Sequence, residues 1–402
     1  MTWQIIEMDK ALEKNRKHQN VDQRLIGKVE TGVGPTVIFT AGIHGNEPSG
    51  VHALRDVLSG LGLFGDVRQG NVYAFAGNLS ALKEGIRFHE RDLNRLWTLD
   101  RVRQLETGPI DTGILDIREQ YDLYQELQRI IQTGSGPFYF IDLHTTSSRT
   151  IPFITINDTM INRRFSLKFP VPVVLGIEEY LDGPLLTYIN ELGYIAIGFE
   201  AGQHDDEIAF KNQVAFIHLV LKETGILPGK SDLRDYADEL AQQTKGRHDF
   251  FEILDYHRIQ PGESFEMEAG FENFQPIRKK ERLAKSNGNA VYASKGGRIF
   301  MPLYQKQGED GFFIIRKIPQ VVIWLSSLLR FIRFDSFLTL LPGVSWMSEK
   351  KDALRVNLHV ARFMARDFFH LLGYRTKQKG NDYLVVRNRE RAARTSEYSE
   401  YL

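Results

Sequence analysis

The run Thr36-Val37-Ile38-Phe39-Thr40-Ala41 is β-branched and unbroken, without the polar alternation of a strand that keeps one face in water. Similar runs recur near 71–76, 137–143, 152–156, 171–175 and 194–199, with amphipathic stretches such as 118–132 and 207–223 between them. Strands buried on both faces need helices on both faces, and this alternation supplies them. The chain therefore reads as α/β, with a mixed, mostly parallel sheet flanked by helices.

Ligands in open sheets of this kind sit at the carboxyl ends of the strands. The first run is followed by Gly42-Ile43-His44-Gly45-Asn46-Glu47, where two glycines mark a tight turn and a His and a Glu stand three residues apart. Such a loop can offer nitrogen and oxygen to one metal ion, and a catalytic site needs a third protein ligand and an open position. His144 is the candidate, because Phe138-Tyr139-Phe140-Ile141-Asp142-Leu143-His144 is another apolar strand ending in a polar residue.

Spacing alone is weak: about one chance His-x-x-Glu is expected in a chain of average composition, and His204-Asp205-Asp206-Glu207 is a second copy. There the acidic residues read as negative charge in the first turn of a helix running through Phe210 to Leu221.

Five ordered motifs change the weight of the first copy. They are Gly-x-His-Gly-Asn-Glu at 42–47, Arg87 seven residues before Asn94, Asp92-Leu93-Asn94-Arg95, Asp142-Leu143-His144, and Gly198-Phe199-Glu200. Together they resemble the succinylglutamate desuccinylase/aspartoacylase family, which has a zinc carboxypeptidase-like fold. The resemblance spans roughly 36–202 and implies one Zn2+ per chain, held by His44, Glu47 and His144. It implies Glu200 as the general base, which takes a proton from water and returns it to the leaving amine. Arg87 would stabilise the oxyanion, and Asn94 and Arg95 would grip a substrate carboxylate. Asp142 either orients a ligating imidazole or is a structural residue at a strand end.

The implied activity is removal of an acyl group from an N-acyl amino acid or related carboxylate-bearing amide, a small-molecule substrate. Two alternatives stay open: a zinc carboxypeptidase acting on peptides, and a non-enzymatic scaffold that keeps the fold. One departure bears on substrate. Family members acting on acidic substrates use a further arginine just upstream of the catalytic Glu, and 187–194 contains neither Arg nor Lys. Histidine and carboxylate would also accept cobalt or manganese, so the resemblance, not ligand chemistry, selects zinc.

At 402 residues the chain is long for one domain. The expected division is a catalytic domain over 1–245, a small β domain over 246–318, and an α-rich C-terminal extension of helices plus a hairpin over 319–402. In the β domain, the polar stretch Tyr304 to Gly311 is the part placed to reach over the active site. In the extension, Gln320–Leu341 is strongly apolar, but Arg330, Arg333 and Asp335 argue against a membrane span. Ser326/Ser327, Arg330 and Arg333 make a polar stripe at helical spacing, so this segment is expected to dock on the β domain or a second subunit. A helix over 350–372, a hairpin over 374–389 turning near Gly380-Asn381, and a frayed tail from Glu390 complete the reading.

Fifty-one basic residues balance fifty-one acidic ones, so no global positive field favours nucleic acid. The absence of Cys excludes thiolate ligands, a Cys nucleophile and disulfides. The N-terminal residues lack a basic region followed by an apolar one, so the cytoplasm is the expected location.

Overall fold

The structure is a computed structural model and describes residues 21–61, 69–108, 111, 113–228, 233–340, 342–347, 349, 351–357, 359, 369–379 and 382–400. The first eight strands are β1 (Leu25–Glu30), β2 (Thr36–Ala41), β3 (Asn71–Ala76), β4 (Phe138–Thr146), β5 (Phe153–Ile156), β6 (Val173–Leu175), β7 (Ile195–Gln203) and β8 (Phe250–Arg258). They lie side by side in the order β1-β3-β2-β4-β7-β5-β6-β8. β3, β2, β4 and β7 run parallel, as do β5, β6 and β8, while β1 and β5 are antiparallel to their neighbours β3 and β7.

Every residue of β2, β3 and β4 is buried, as the unbroken runs require. Helices Ser49–Leu61 and Glu207–Glu223 cover one face, where Phe199 stacks on Phe216 with ring centroids 3.8 Å apart. Helices Leu99–Thr107, Leu115–Thr133 and Leu185–Glu191 cover the other. This is the mixed, mostly parallel sheet flanked by helices that the sequence pattern called for.

Strands Asp310–Lys317, Gly297–Phe300 and Pro276–Ile277 add antiparallel to the free edge of β8, so the β-rich segment continues the central sheet. A three-stranded sheet of Phe265–Met267, Arg282–Ser286 and Asn289–Tyr292 packs beside it.

The C-terminal part comprises helix Gln320–Phe331 and a four-stranded antiparallel sheet. The expected hairpin is present as Tyr374–Lys379 and Tyr383–Asn388, with its turn outside the described residues. Residues 350, 358 and 360–368 of the expected 350–372 helix also lie outside them, but its start is a strand: Ala353–Asn357 pairs with Val344–Trp346 and Tyr383–Asn388. Leu354 and Val356 are buried between exposed Arg355 and Asn357, a period of two that a longer helical window averages away.

The helix Gln320–Phe331 docks by its polar stripe, and onto the catalytic part rather than the appended strands. Ser326 and Arg330 face inward, whereas Trp324 and Phe331 are 64% and 81% exposed. The anchor is Asp158, in the loop after β5, whose carboxylate is met by Arg163 Nη2, Arg330 Nη2 and Arg375 Nη2 at 2.9, 2.9 and 2.6 Å. Burial would push this carboxyl up, but the three guanidinium groups outweigh it and hold it well below the usual range. Among the described residues, no helix is long and apolar enough to cross a membrane.

The described part of the tail, 390–400, is not frayed. Tyr398 is fully buried, its hydroxyl accepts from Ile195 N at 3.1 Å and donates to Phe138 O, and its ring meets Tyr139 edge-on. A phenol with two backbone partners at the feet of β4 and β7 outweighs the fraying of a polar terminus.

Removing one partner from a buried charge cluster leaves the others uncompensated. Asp158→Asn should therefore lower unfolding free energy by about 3–5 kcal/mol, measured by urea denaturation. A loss below 1 kcal/mol would mean the three arginines find other anions.

Candidate active site

The turn after β2 is shaped by close packing. A side chain on Gly45 would have its Cβ 2.1 Å from the carbonyl carbon of Ala81, so only glycine lets the loop pass the helix Leu79–Glu84. Gly45 N donates to Arg87 O and Glu47 N to His44 O, each at 3.1 Å, which folds the His44 and Glu47 side chains back toward the strand end. Alignment of β2 with β4 pairs Ala41 with Leu143, and alignment of β4 with β7 pairs His144 with Glu200. The parallel register thus brings His44, Glu47, His144 and Glu200 to one edge, all buried.

His44, Glu47 and His144 each offer a ligand atom within 4.8 Å of the others. Nδ1 of His44 lies 2.9 Å from Glu47 Oε1, and Nδ1 of His144 lies 3.1 Å from Glu47 Oε2. On the far side of each ring, His44 Nε2 is 3.1 Å from Asp92 Oδ1 and His144 Nε2 is 2.7 Å from Asp142 Oδ2. Carboxylates only accept, so each ring, facing one on both sides, either is protonated at both nitrogens or is protonated at Nε2 with its Nδ1 lone pair toward Glu47. In the second form two lone pairs face one anion, an arrangement satisfied by a cation among the three. The donor set therefore fits a divalent metal of borderline softness. Without a metal, burial opposes a charge on His144, but Asp142 first and then Glu47 raise its pKa well above the ordinary value.

The remaining expected residues surround this cluster. Arg87 places Nη1 3.4 Å from Glu47 Oε1 and Nη2 3.4 Å from Asp92 Oδ2, and its buried Nε has no partner among the described residues. Asp92 also caps the turn Leu93–Arg95 by accepting from Asn94 N. Burial pushes its carboxyl up, but His44, Arg87 and Arg95 hold it well below the ordinary range. Asn94 Oδ1 accepts from Leu185 N at 3.0 Å. Arg95 lines the same cavity, with its guanidinium on Asp310.

Sequence reasoning missed Asp116. Fully buried in the first turn of helix Leu115–Thr133, it accepts from the backbone N–H groups of His89, Glu90 and Arg91 and from Asn78 Nδ2, and so holds the loop that carries Arg87 and Asp92. An acid at that position reads from sequence only as helix-terminal charge. Asp92 was visible only as part of a motif, and its bond to His44 depends on tertiary contact.

His204 also reaches the site. Its Nδ1 is 2.8 Å from Thr145 Oγ1 and its Nε2 3.2 Å from Gln305 Oε1, while burial lowers its pKa. Asp206 caps the following helix through Ile208 N, as expected of the second His-x-x-Glu. The stretch 304–311 does extend over the active site. Gln305 accepts from Asn46 Nδ2 at 2.8 Å, and Gln307 accepts from Arg87 N and donates to Phe88 O. The wall away from the metal ligands is apolar, with Ile156, Ile177, Leu181, Leu186 and Phe313.

Glu200 is the outlying acid. Its Oε2 is buried without a partner among the described residues, and burial, with Glu47 and Asp142 nearby, pushes its pKa up to about 8 against the pull of His144 and Arg87. A carboxyl raised toward neutrality in a cavity is suited to exchanging protons.

Residues 33–221 match the succinylglutamate desuccinylase/aspartoacylase catalytic domain, and this part of the chain belongs to that family. The crystal structure of succinylglutamate desuccinylase/aspartoacylase from Rhodobacter sphaeroides aligns with a TM-score of 0.54 at 17% identity, over 73% of this chain and 88% of that one. The product-bound ectoine utilization protein EutE (DoeB) from Ruegeria pomeroyi gives 0.52 at 18%, over 72% and 87%. At such identities the likeness is one of fold. No curated protein sequence matches the chain.

Glu200 in the folded, metal-free chain keeps its proton to about pH 8, whereas a free Glu loses it near 4.5. Between these values the folded state binds more protons, so this group's contribution to stability falls as pH rises, by at most about 1.4 kcal/mol per unit. In chelator-treated protein, Glu200→Gln should flatten the decline of unfolding free energy between pH 5 and 8. Equal slopes in both proteins would mean Glu200 titrates as an ordinary acid.

Proposed function

We propose that this protein is a zinc-dependent amidohydrolase that removes an acyl group from an N-acylated amine of the amino-acid type. The observation that carries the reading is the facing of Nδ1 of His44 and Nδ1 of His144 onto the carboxylate of Glu47, with an oxygen of Glu200 that has no partner among the described residues in the same cavity.

His44, Glu47 and His144 would hold the ion. When bound, zinc lowers the pKa of a ligated water and polarises a carbonyl. Glu200 takes one proton from the attacking water and delivers it to the amine nitrogen as the C–N bond breaks; the water's second proton leaves the new carboxylic acid for the amine, so that water and amide become a carboxylate and an ammonium. Arg87, within reach of the ligand cluster, stabilises the negative charge that develops on the carbonyl oxygen. Asp92 and Asp142 keep the two imidazoles oriented and electron-rich. Asn94 and Arg95 lie at the substrate end of the cavity. The roof 304–311 ties Asn46, Arg87 and His204 to the appended strands and narrows access, which favours a small acylated amine over a long peptide.

Purified protein should carry about one zinc per chain, and His144→Ala should lose it, as elemental analysis would show. Glu200→Gln should keep the metal while hydrolysis of N-acyl substrates falls by about 10²–10⁴-fold. Normal turnover by that variant would remove Glu200 from the reaction. A chain with neither metal nor turnover would instead be a scaffold.

Arg87→Ala should cost about 10²–10³ in kcat with KM little changed, read by steady-state kinetics. A rise in KM alone would make Arg87 a ground-state contact.

A further inference from the structure

Arg95 is not free to receive a ligand carboxylate, because the protein supplies one. Its Nη2 lies 2.5 Å from Asp310 Oδ2, and its Nη1 donates to Asn94 O at 2.8 Å. The other oxygen of Asp310 accepts from the Tyr256 hydroxyl at 2.5 Å. Both partners are rigidly placed. Asp310 opens the strand Asp310–Lys317, which pairs with β8, and the Tyr256 ring stacks on Phe313 with centroids 4.6 Å apart. Arg95 and Asp310 both line the cavity, with side chains about one-fifth exposed.

A second carboxylate at Arg95 would sit beside that of Asp310, and like charges in a partly desolvated cavity repel strongly. No spare cation compensates. Arg87 and Arg95 are the cavity's only lining arginines or lysines among the described residues, and Arg87 already faces Glu47 and Asp92. The wall here is instead apolar, made by Ile177, Leu181, Leu186 and Phe313.

We infer that Asp310 is a specificity-determining residue: it fills the carboxylate place at Arg95, so the acylated amine this site takes is uncharged at that end, as an amide, ester or plain alkyl group. This rests on the hydrolase reading for the reaction, but not for the discrimination between charged and neutral ligands.

The test measures binding by calorimetry to zinc-loaded Glu200→Gln protein, with N-acetylphenylalanine and N-acetylphenylalanine amide as probes. The amide should bind at least about tenfold more tightly than the free acid. Adding Asp310→Asn should improve the free acid by about tenfold or more and move the amide by less than about threefold. Tyr256→Phe, which keeps the charge, should preserve the preference, and it serves if Asp310→Asn does not fold. Free acid bound as tightly as amide, a preference unmoved by Asp310→Asn, or binding of neither probe would overturn the inference. Discrimination as expected in binding, with no turnover of either probe by the wild type, would sink the hydrolase reading and leave this one standing.

Discussion

The parallel register of β2, β4 and β7 is the constraint on which the site depends. Side chains alternate along a strand, so a slip of one residue in β4 would turn His144 and Asp142 to the opposite face and take both from the cluster. The register is held by apolar packing on both faces, where Ile38, Phe39, Ile141, Leu143, Ile197 and Phe199 are buried against helices on either side. It is also pinned far from the site, at the strand starts, by the hydroxyl of Tyr398 between Ile195 N and Phe138 O. The C-terminal tail is thus part of what keeps the strands in step.

Within that frame, the cost of burying charge organises the rest. Each buried imidazole is bracketed by carboxylates, Glu47 on one side and Asp92 or Asp142 on the other, and each of these acids is met by further donors. The same logic operates at Asp158, where three arginines from three elements converge and fasten the C-terminal helix to the catalytic sheet. Glu200 departs from this pattern, with a buried oxygen that has no partner among the described residues. Unmatched polarity of this kind is expensive to hold, and it concentrates where chemistry is done.

The appended strands contribute to the cavity directly rather than standing apart. Because Asp310–Lys317 extends the edge of β8, Asp310, Phe313 and the loop before them lie over the strand ends, and Gln305 and Gln307 bond the turns that carry Asn46 and Arg87. The substrate end of the site is therefore written jointly by two distant stretches of chain.

The α/β class, the strands near 36–41, 71–76, 137–143, 152–156, 171–175 and 194–199, the helices near 118–132 and 207–223, and the identity of His44, Glu47 and His144 as one cluster were legible in the sequence. Unbroken apolar runs determine buried strands, and polar residues at their ends have one place to go. Period-two burial inside a longer helical pattern hid the strand Ala353–Asn357, and neither the docking of Tyr398 nor the surface that the polar stripe through Arg330 docks on could be read, since neither partner is near in sequence. Tertiary structure alone decided that Asp116 builds the Arg87 loop, that Asp92 holds His44, and that Asp310 answers Arg95. Each is a charge whose partner lies 25 to 215 residues away. Sequence carries the burial of each element through its own periodicity. The pairing of charges follows only from the distances that the folded sheet creates.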